Sequence, residues 1–295
     1  MKMKLLMGLI NFGCLIYFGY LLSDRWDETI GAIRLYFGKG WLLAIVICLL
    51  IVKEAIEAYR WQVLREGTGD KSSYIKSLAT VLKAEAYGNA TPGGIGEHAG
   101  RVVGEEDKKH VIVRSLLASV IQTCSIFVLG LTAALHLWLN GHIVSGSIII
   151  VTCMILIIGV AVFAIVSHFK RGLIIEIMRD MTSLKVKKIV WAFLLNMAKV
   201  MTFSLQMALL IAYGETPSAT LLAYVLFFYL ALTVVPTLRL WDIGVRGSLS
   251  IYILGNVAEE GAVIAASVMI WLINVIVPSV IGLIVLQVSQ FRRGV

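Results

Sequence analysis

Two stretches of this chain bring proline, glycine, an acid and an arginine together inside otherwise apolar surroundings. The first reads Gly88-Asn89-Ala90-Thr91-Pro92-Gly93-Gly94-Ile95-Gly96-Glu97-His98-Ala99-Gly100-Arg101. Pro92 lacks an N–H and ends the helix that precedes it. Gly93, Gly94, Gly96 and Gly100 let the chain turn sharply and let another group come close to the backbone. If a helix restarts near Gly96, Glu97 and Arg101 lie four residues apart on one face. The free N–H groups of that restart favour an anion. The chemistry expected of such a set is the holding of an anionic group.

The second stretch reads Val235-Pro236-Thr237-Leu238-Arg239-Leu240-Trp241-Asp242-Ile243-Gly244-Val245-Arg246-Gly247. Gly244 follows Pro236 at the distance at which Gly100 follows Pro92. In that register Asp242 stands opposite His98, one place from Glu97, and Arg246 lies one place beyond the match to Arg101. Each break carries an acid, a glycine and an arginine, as in a degenerate internal repeat. Transporters place broken helices at corresponding positions of their two halves, with the binding site between them. The substrate-binding residues expected are therefore Gly93, Gly94, Gly96, Glu97, Arg101, Asp242 and Arg246, joined by Lys199.

Lys199 falls in the middle of an apolar run. A lysine at that depth costs roughly 2.5–3.5 kcal/mol on insertion scales, so it must face protein or water. It is expected to hold a lipid phosphate or to pair with Glu97 or Asp242. Asn196, Phe203 and Gln206 share its helical face, and the two amides read as helix-to-helix hydrogen-bonding groups. Glu54, Glu57 and Arg60 near the end of another apolar run read as interface anchors. Lys83 and Glu85, two apart, cannot pair along one helix face and need partners elsewhere. Gln122 and Asn274 read as polar packing groups.

What must position these residues is a membrane. Of the 295 residues 59% are hydrophobic and 15% charged, against about 25% charged in a soluble domain; mean hydropathy is +0.89. A bilayer core of about 30 Å takes about 20 helical residues. Apolar runs of that order cover 5–22, 41–59, 115–139, 143–167, 189–213, 219–235 and 262–288. The segments 72–89 and 248–257 are amphipathic or too short. The fold expected is all-α: a polytopic transmembrane helix bundle of about 7–8 spans with two broken or re-entrant elements. It forms one integral membrane domain over 1–295, with repeats at about 41–167 and 189–288.

The net charge of +8 comes from lysines and arginines gathered in short loops, which orients a membrane protein rather than binding nucleic acid. The pattern places the N-terminus in the cytoplasm and the chain in the cell inner (plasma) membrane. Cys14, Cys48, Cys124 and Cys153 sit singly in apolar runs and read as packing residues. No cofactor and no metal are expected, and no Gly-Lys-Ser/Thr phosphate loop is present to couple ATP.

The 92–101 pattern Pro-Gly-Gly-x-Gly-Glu-x-x-x-Arg, and Gly244-Val245-Arg246 before the last run, resemble the family of the transmembrane region of lysylphosphatidylglycerol synthases, a flippase-like domain. The resemblance implies a protein that moves a phospholipid or polyprenyl-linked lipid between leaflets, with Glu97, Arg101 and Arg246 at its site. It also implies partners: a membrane lipid with an anionic or polyprenyl-linked headgroup, and a lipid-modifying enzyme or glycosyltransferase. The second stretch departs from the pattern, because Thr237–Trp241 lacks the glycines and Gly247 stands in place of an acid. Lysylation of lipid is not expected of this chain. Two other functions fit the residues: a membrane-embedded transferase or hydrolase using Glu97 and His98 as base and acid, and a non-catalytic partner of a lipid- or glycan-modifying enzyme.

Overall fold

The computed structural model describes residues 2–65, 73–91, 94–105, 107–142, 184–235 and 242–291, and these are helices joined by short turns. In chain order they are α1 (Lys2–Asp24), α2 (Trp26–Gly38), α3 (Gly40–Arg65), α4 (Tyr74–Asn89), α5 (Gly96–Val102), α6 (Lys108–Leu139), α7 (Val186–Ile211), α8 (Ala219–Val234), α9 (Asp242–Leu254), α10 (Glu260–Trp271), a π-helical turn (Leu272–Ile276) and α11 (Val277–Phe291). The expected span at 143–167 lies outside the described residues.

Among the described residues α6, α7 and the run Glu260–Ser289 are long and apolar enough to cross a membrane. The pair α2 and α3, bent by 85° at Lys39, supplies a fourth crossing if taken as one. That is fewer than the seven or eight apolar runs predict. One reason is length: the 16 residues of α8 rise only about 24 Å.

Helices α2, α3, α6, α7, α8 and α10 bury apolar residues in one shared core. Tyr36 of α2, Leu42 and Val46 of α3, Met207 and Leu210 of α7, Phe228 and Leu230 of α8, and Val263 and Ile270 of α10 are all buried in it. α3 lies along α7, and α6 along α8. Helix α2, which no apolar run announces, turns its buried Thr29, Ala32 and Tyr36 inward and packs on α10. The bend after it is fixed by Lys39, whose Nζ donates to the Tyr213 carbonyl at 2.8 Å just beyond the end of α7.

Pro278 accounts for the π-helical turn. It offers no N–H to the Asn274 carbonyl, and its ring crowds that oxygen, so the helix widens over Leu272–Ile276. The loosened backbone is tied down from α4, where Asn89 Nδ2 donates to the Val275 carbonyl at 3.2 Å and to Ser279 Oγ at 2.5 Å. The two short helices α5 and α9 each follow one of the breaks and lie flat against a neighbour, α5 on α4 and α9 on α1. Their glycines make this close approach: a methyl at Gly100 would come within 2.6 Å of Ala84 Cα, and one at Gly244 within 2.6 Å of Leu15 Cα.

Candidate functional site

The site is built outward from α3. Lys53, Glu57, Arg60, Trp61 and Leu64 fall at helical spacing on one face, and all are buried. Glu54, Glu57 and Arg60 are therefore not interface anchors as the sequence predicts. The helix continues apolar through Trp61 and Leu64 against its neighbours, so these charges are held in the interior, where each needs a partner.

Glu57, only 3% exposed, faces three cations. It accepts from Arg60 Nε at 3.0 Å and Nη2 at 2.6 Å, from Arg101 Nη2 at 3.0 Å, and from Lys199 Nζ at 2.9 Å. The four residues come from α3, α5 and α7, so one carboxylate fastens three helices together. Lys199 also donates to Gln122 Oε1 at 3.1 Å. Its partner is thus Glu57 rather than Glu97 or Asp242, and Gln122 is part of the polar network. The seam expected beside Lys199 exists in part: Gln206 donates to the Val46 carbonyl at 2.8 Å and accepts from Asn274 at 2.9 Å.

In the first break, Gly94 takes a left-handed conformation (φ 72°) that only glycine adopts without strain, and the helix restarts at Gly96. Arg101 Nη2 then donates to Glu97 Oε1 at 2.6 Å, one turn back. The N–H groups at this restart are not left for an anion. Gly96 N donates to Thr91 Oγ1 at 2.7 Å, Glu97 N to the Gly94 carbonyl at 3.0 Å and His98 N to the Ile95 carbonyl at 3.2 Å. Gly96 itself is pressed on Tyr87 and Thr91, so its small size serves helix packing. Gly93 lies outside the described residues.

Arg101 is buried with its guanidinium 4.4 Å over the Trp61 ring, an attraction between cation and aromatic face. Its Nε and Nη1 have no hydrogen-bond partner. In the second break, Arg246 Nη2 donates to Asp242 Oδ2 at 3.1 Å, again at a spacing of four. Arg246 Nε and Asp242 Oδ1 are buried without a hydrogen-bond partner.

The two breaks open on one cavity of about 530 Å3. Gly94, Glu97 and Arg101 line it from the first break, Asp242 and Arg246 from the second, and Lys199 from α7. Sequence reasoning missed Lys53, Glu57 and Glu85, which line it too. The available signal was the spacing of Lys53 and Glu57 on a helix whose apolar face does not end with them. The lining holds four cations (Lys53, Arg101, Lys199, Arg246) and four carboxylates (Glu57, Glu85, Glu97, Asp242). Its interior is thus balanced in charge, with strong local fields in a low-dielectric surround.

Among curated proteins none matches this chain. A multi-pass bundle of apolar helices around a charged cavity agrees with what the family comparison finds. Residues 9–282 match the model of the lysylphosphatidylglycerol synthase TM region, and the chain belongs to that family of integral membrane domains linked to lipid handling.

Proposed function

We propose that the protein is a lipid translocase in which the charged cavity receives a lipid headgroup on its way between leaflets. The observation that carries this reading is Arg101: a buried guanidinium lining a 530 Å3 cavity, with Nε and Nη1 unpartnered. A donor left unsatisfied at such depth costs about 1–3 kcal/mol or more when charged, and a phosphate oxygen arriving in the cavity removes that cost. Lys199 and Arg246 offer further positive charge around the same space. Glu97, Glu57 and Asp242 keep these cations ordered while the cavity is empty. Movement is downhill or coupled to an ion through Glu97 or Asp242, since no phosphate-loop motif drives it.

In this reading the chain has about seven or eight crossings, counting the segment outside the described residues and the two broken elements. Its N-terminus lies in the cytoplasm and it resides in the plasma membrane, as the loop lysines and arginines favour. A phospholipid is the substrate class favoured by Arg101, and a polyprenyl-linked phosphate presents the same oxygens.

The enzyme reading rests on Glu97 and His98, which both line the cavity, and His98 Nδ1 lies 2.7 Å from Ser115 Oγ. Ser115 is fully buried and does not line the cavity, so this hydroxyl is closed to a lipid-linked substrate. The test is leaflet exchange of fluorescent phospholipids in proteoliposomes, followed with a membrane-impermeant quencher. Exchange is expected with the wild type and lost with Arg101→Ala, with a smaller loss for Arg246→Ala. Product chemistry without exchange, or exchange that ignores Arg101, sinks the proposal.

A further inference from the structure

The charges of the cavity are balanced in total but not in place. Around Glu57, three cations (Arg60, Arg101 and Lys199) face that carboxylate and Glu97, leaving an excess of positive charge. One turn earlier on α3 the balance reverses. Lys53 is shared by two carboxylates, Glu54 at 2.6 Å and Glu85 at 3.9 Å. Glu85 Oε2 is buried and has no hydrogen-bond donor. Both Lys53 and Glu57 face the cavity, and residues four apart on a helix are about 5–6 Å apart at Cβ. The cavity therefore presents an unsatisfied guanidinium at its Glu57 end and an unsatisfied carboxylate oxygen at its Lys53 end, the two anchoring residues lying one helical turn apart on α3.

A purely anionic headgroup satisfies the first end and is repelled by the second. A headgroup with two amines over-compensates the second. The complement of both ends is one phosphate joined by a short bridge to one primary ammonium. We infer that the cavity selects a zwitterionic phospholipid of the phosphoethanolamine type. Its phosphate sits against Arg101 and Lys199, and its ammonium donates to Glu85. This inference rests on the translocase reading and names its substrate class. Buried charge pairs gain most where each partner meets its opposite with a hydrogen bond, and the ammonium supplies the donor that Glu85 lacks.

The experiment compares exchange of acyl-chain-labelled phosphatidylethanolamine, phosphatidylglycerol and an aminoacylated phosphatidylglycerol in phosphatidylcholine proteoliposomes. Phosphatidylethanolamine is expected to exchange about ten-fold faster than the other two, the worth of one charge-assisted hydrogen bond. Glu85→Gln should shrink that preference to near unity. As a second measurement, soluble phosphoethanolamine should slow wild-type exchange of phosphatidylethanolamine more than an equal concentration of inorganic phosphate does. Equal inhibition by the two solutes overturns the inference. So does a preference for either other lipid, a preference that survives Glu85→Gln, or inhibition by phosphoethanolamine with no lipid preference at all. Absence of exchange with every lipid instead overturns the translocase reading.

Discussion

The two breaks carry the same pair of residue types and anchor it differently. In the first, the Glu97–Arg101 pair is one edge of a network that continues through Glu57 to Arg60 and Lys199 and rests on Trp61. In the second, Asp242 and Arg246 bond to each other; both arginines keep guanidinium nitrogens without a hydrogen-bond partner. The matched glycines do not differ in this way, since Gly100 fits against the backbone of α4 and Gly244 against the backbone of α1; Gly247, beyond them, fits against the ring of Phe18. By its ion pairs the first break is built into the bundle, and the second leans on it. On the proposed translocase reading, the first is the element that holds and the second the element that yields.

The sharpest way to break this comparison is to remove the hub. Glu57→Gln leaves Arg60, Arg101 and Lys199 buried around a neutral amide. Stranding buried charge of this kind costs about 3–5 kcal/mol. The folded fraction of purified protein should fall accordingly, as read by thermal unfolding in detergent and by size-exclusion profile. Asp242→Asn strands a single arginine beside the cavity and should lose less than half as much. Equal losses for the two variants would show that the first break is no better embedded than the second.

Two of the glycines test, at lower energy, whether backbone or a side chain is the harder obstacle. Inserting a methyl into a close-packed contact costs about 1–3 kcal/mol, depending on what can move aside. For Gly100→Ala the obstacle is Ala84 Cα at 2.6 Å, backbone that cannot rotate away. For Gly247→Ala it is the edge of the buried Phe18 ring, a side chain rather than backbone. Gly100→Ala should fall at the upper end of that range and Gly247→Ala at the lower, both measured as the shift in thermal unfolding midpoint.

How much of this was legible beforehand depends on how far each signal reaches along the chain. Glu97 and Arg101 share a helix face, and a spacing of four exposes that; so it does for Asp242 and Arg246, once the helix is taken to restart. The depth of Lys199 follows from its position in an apolar run. Its partner does not, because Glu57 lies 142 residues away and only the packing of α3 on α7 brings them together. Glu57 and Arg60 were misassigned because helix-end charges and interior charges look alike in one dimension. Helix α2 escaped notice since Asp27, Glu28 and Arg34 break its apolar pattern, and its inward face becomes apparent only where it packs on α10.

The smallest predicted effect concerns the exits from the two breaks. After the first, α6 opens on Asp107, whose carboxylate accepts from the His110 backbone N–H at 3.2 Å and contacts its ring at 2.5 Å. After the second, α10 opens on Glu259, which makes no side-chain cap bond. Replacing a capping Asp by Ala costs about 1 kcal/mol, so Asp107→Ala should destabilise measurably and Glu259→Ala much less. The Asp107 bond also has a pH signature. The donated backbone N–H, then the His110 side chain, hold this carboxyl below its ordinary value. A carboxyl lowered on folding contributes stability that is fully present above the unfolded value of about 3.9. The contribution is lost as the pH falls through the lower folded value. Asp107→Asn keeps a cap acceptor but cannot ionise, so thermal unfolding scans near pH 3 and pH 6 should show the variant losing less stability on acidification than the wild type. An equal acid loss in both would mean that the α6 cap contributes no more than the uncapped start of α10.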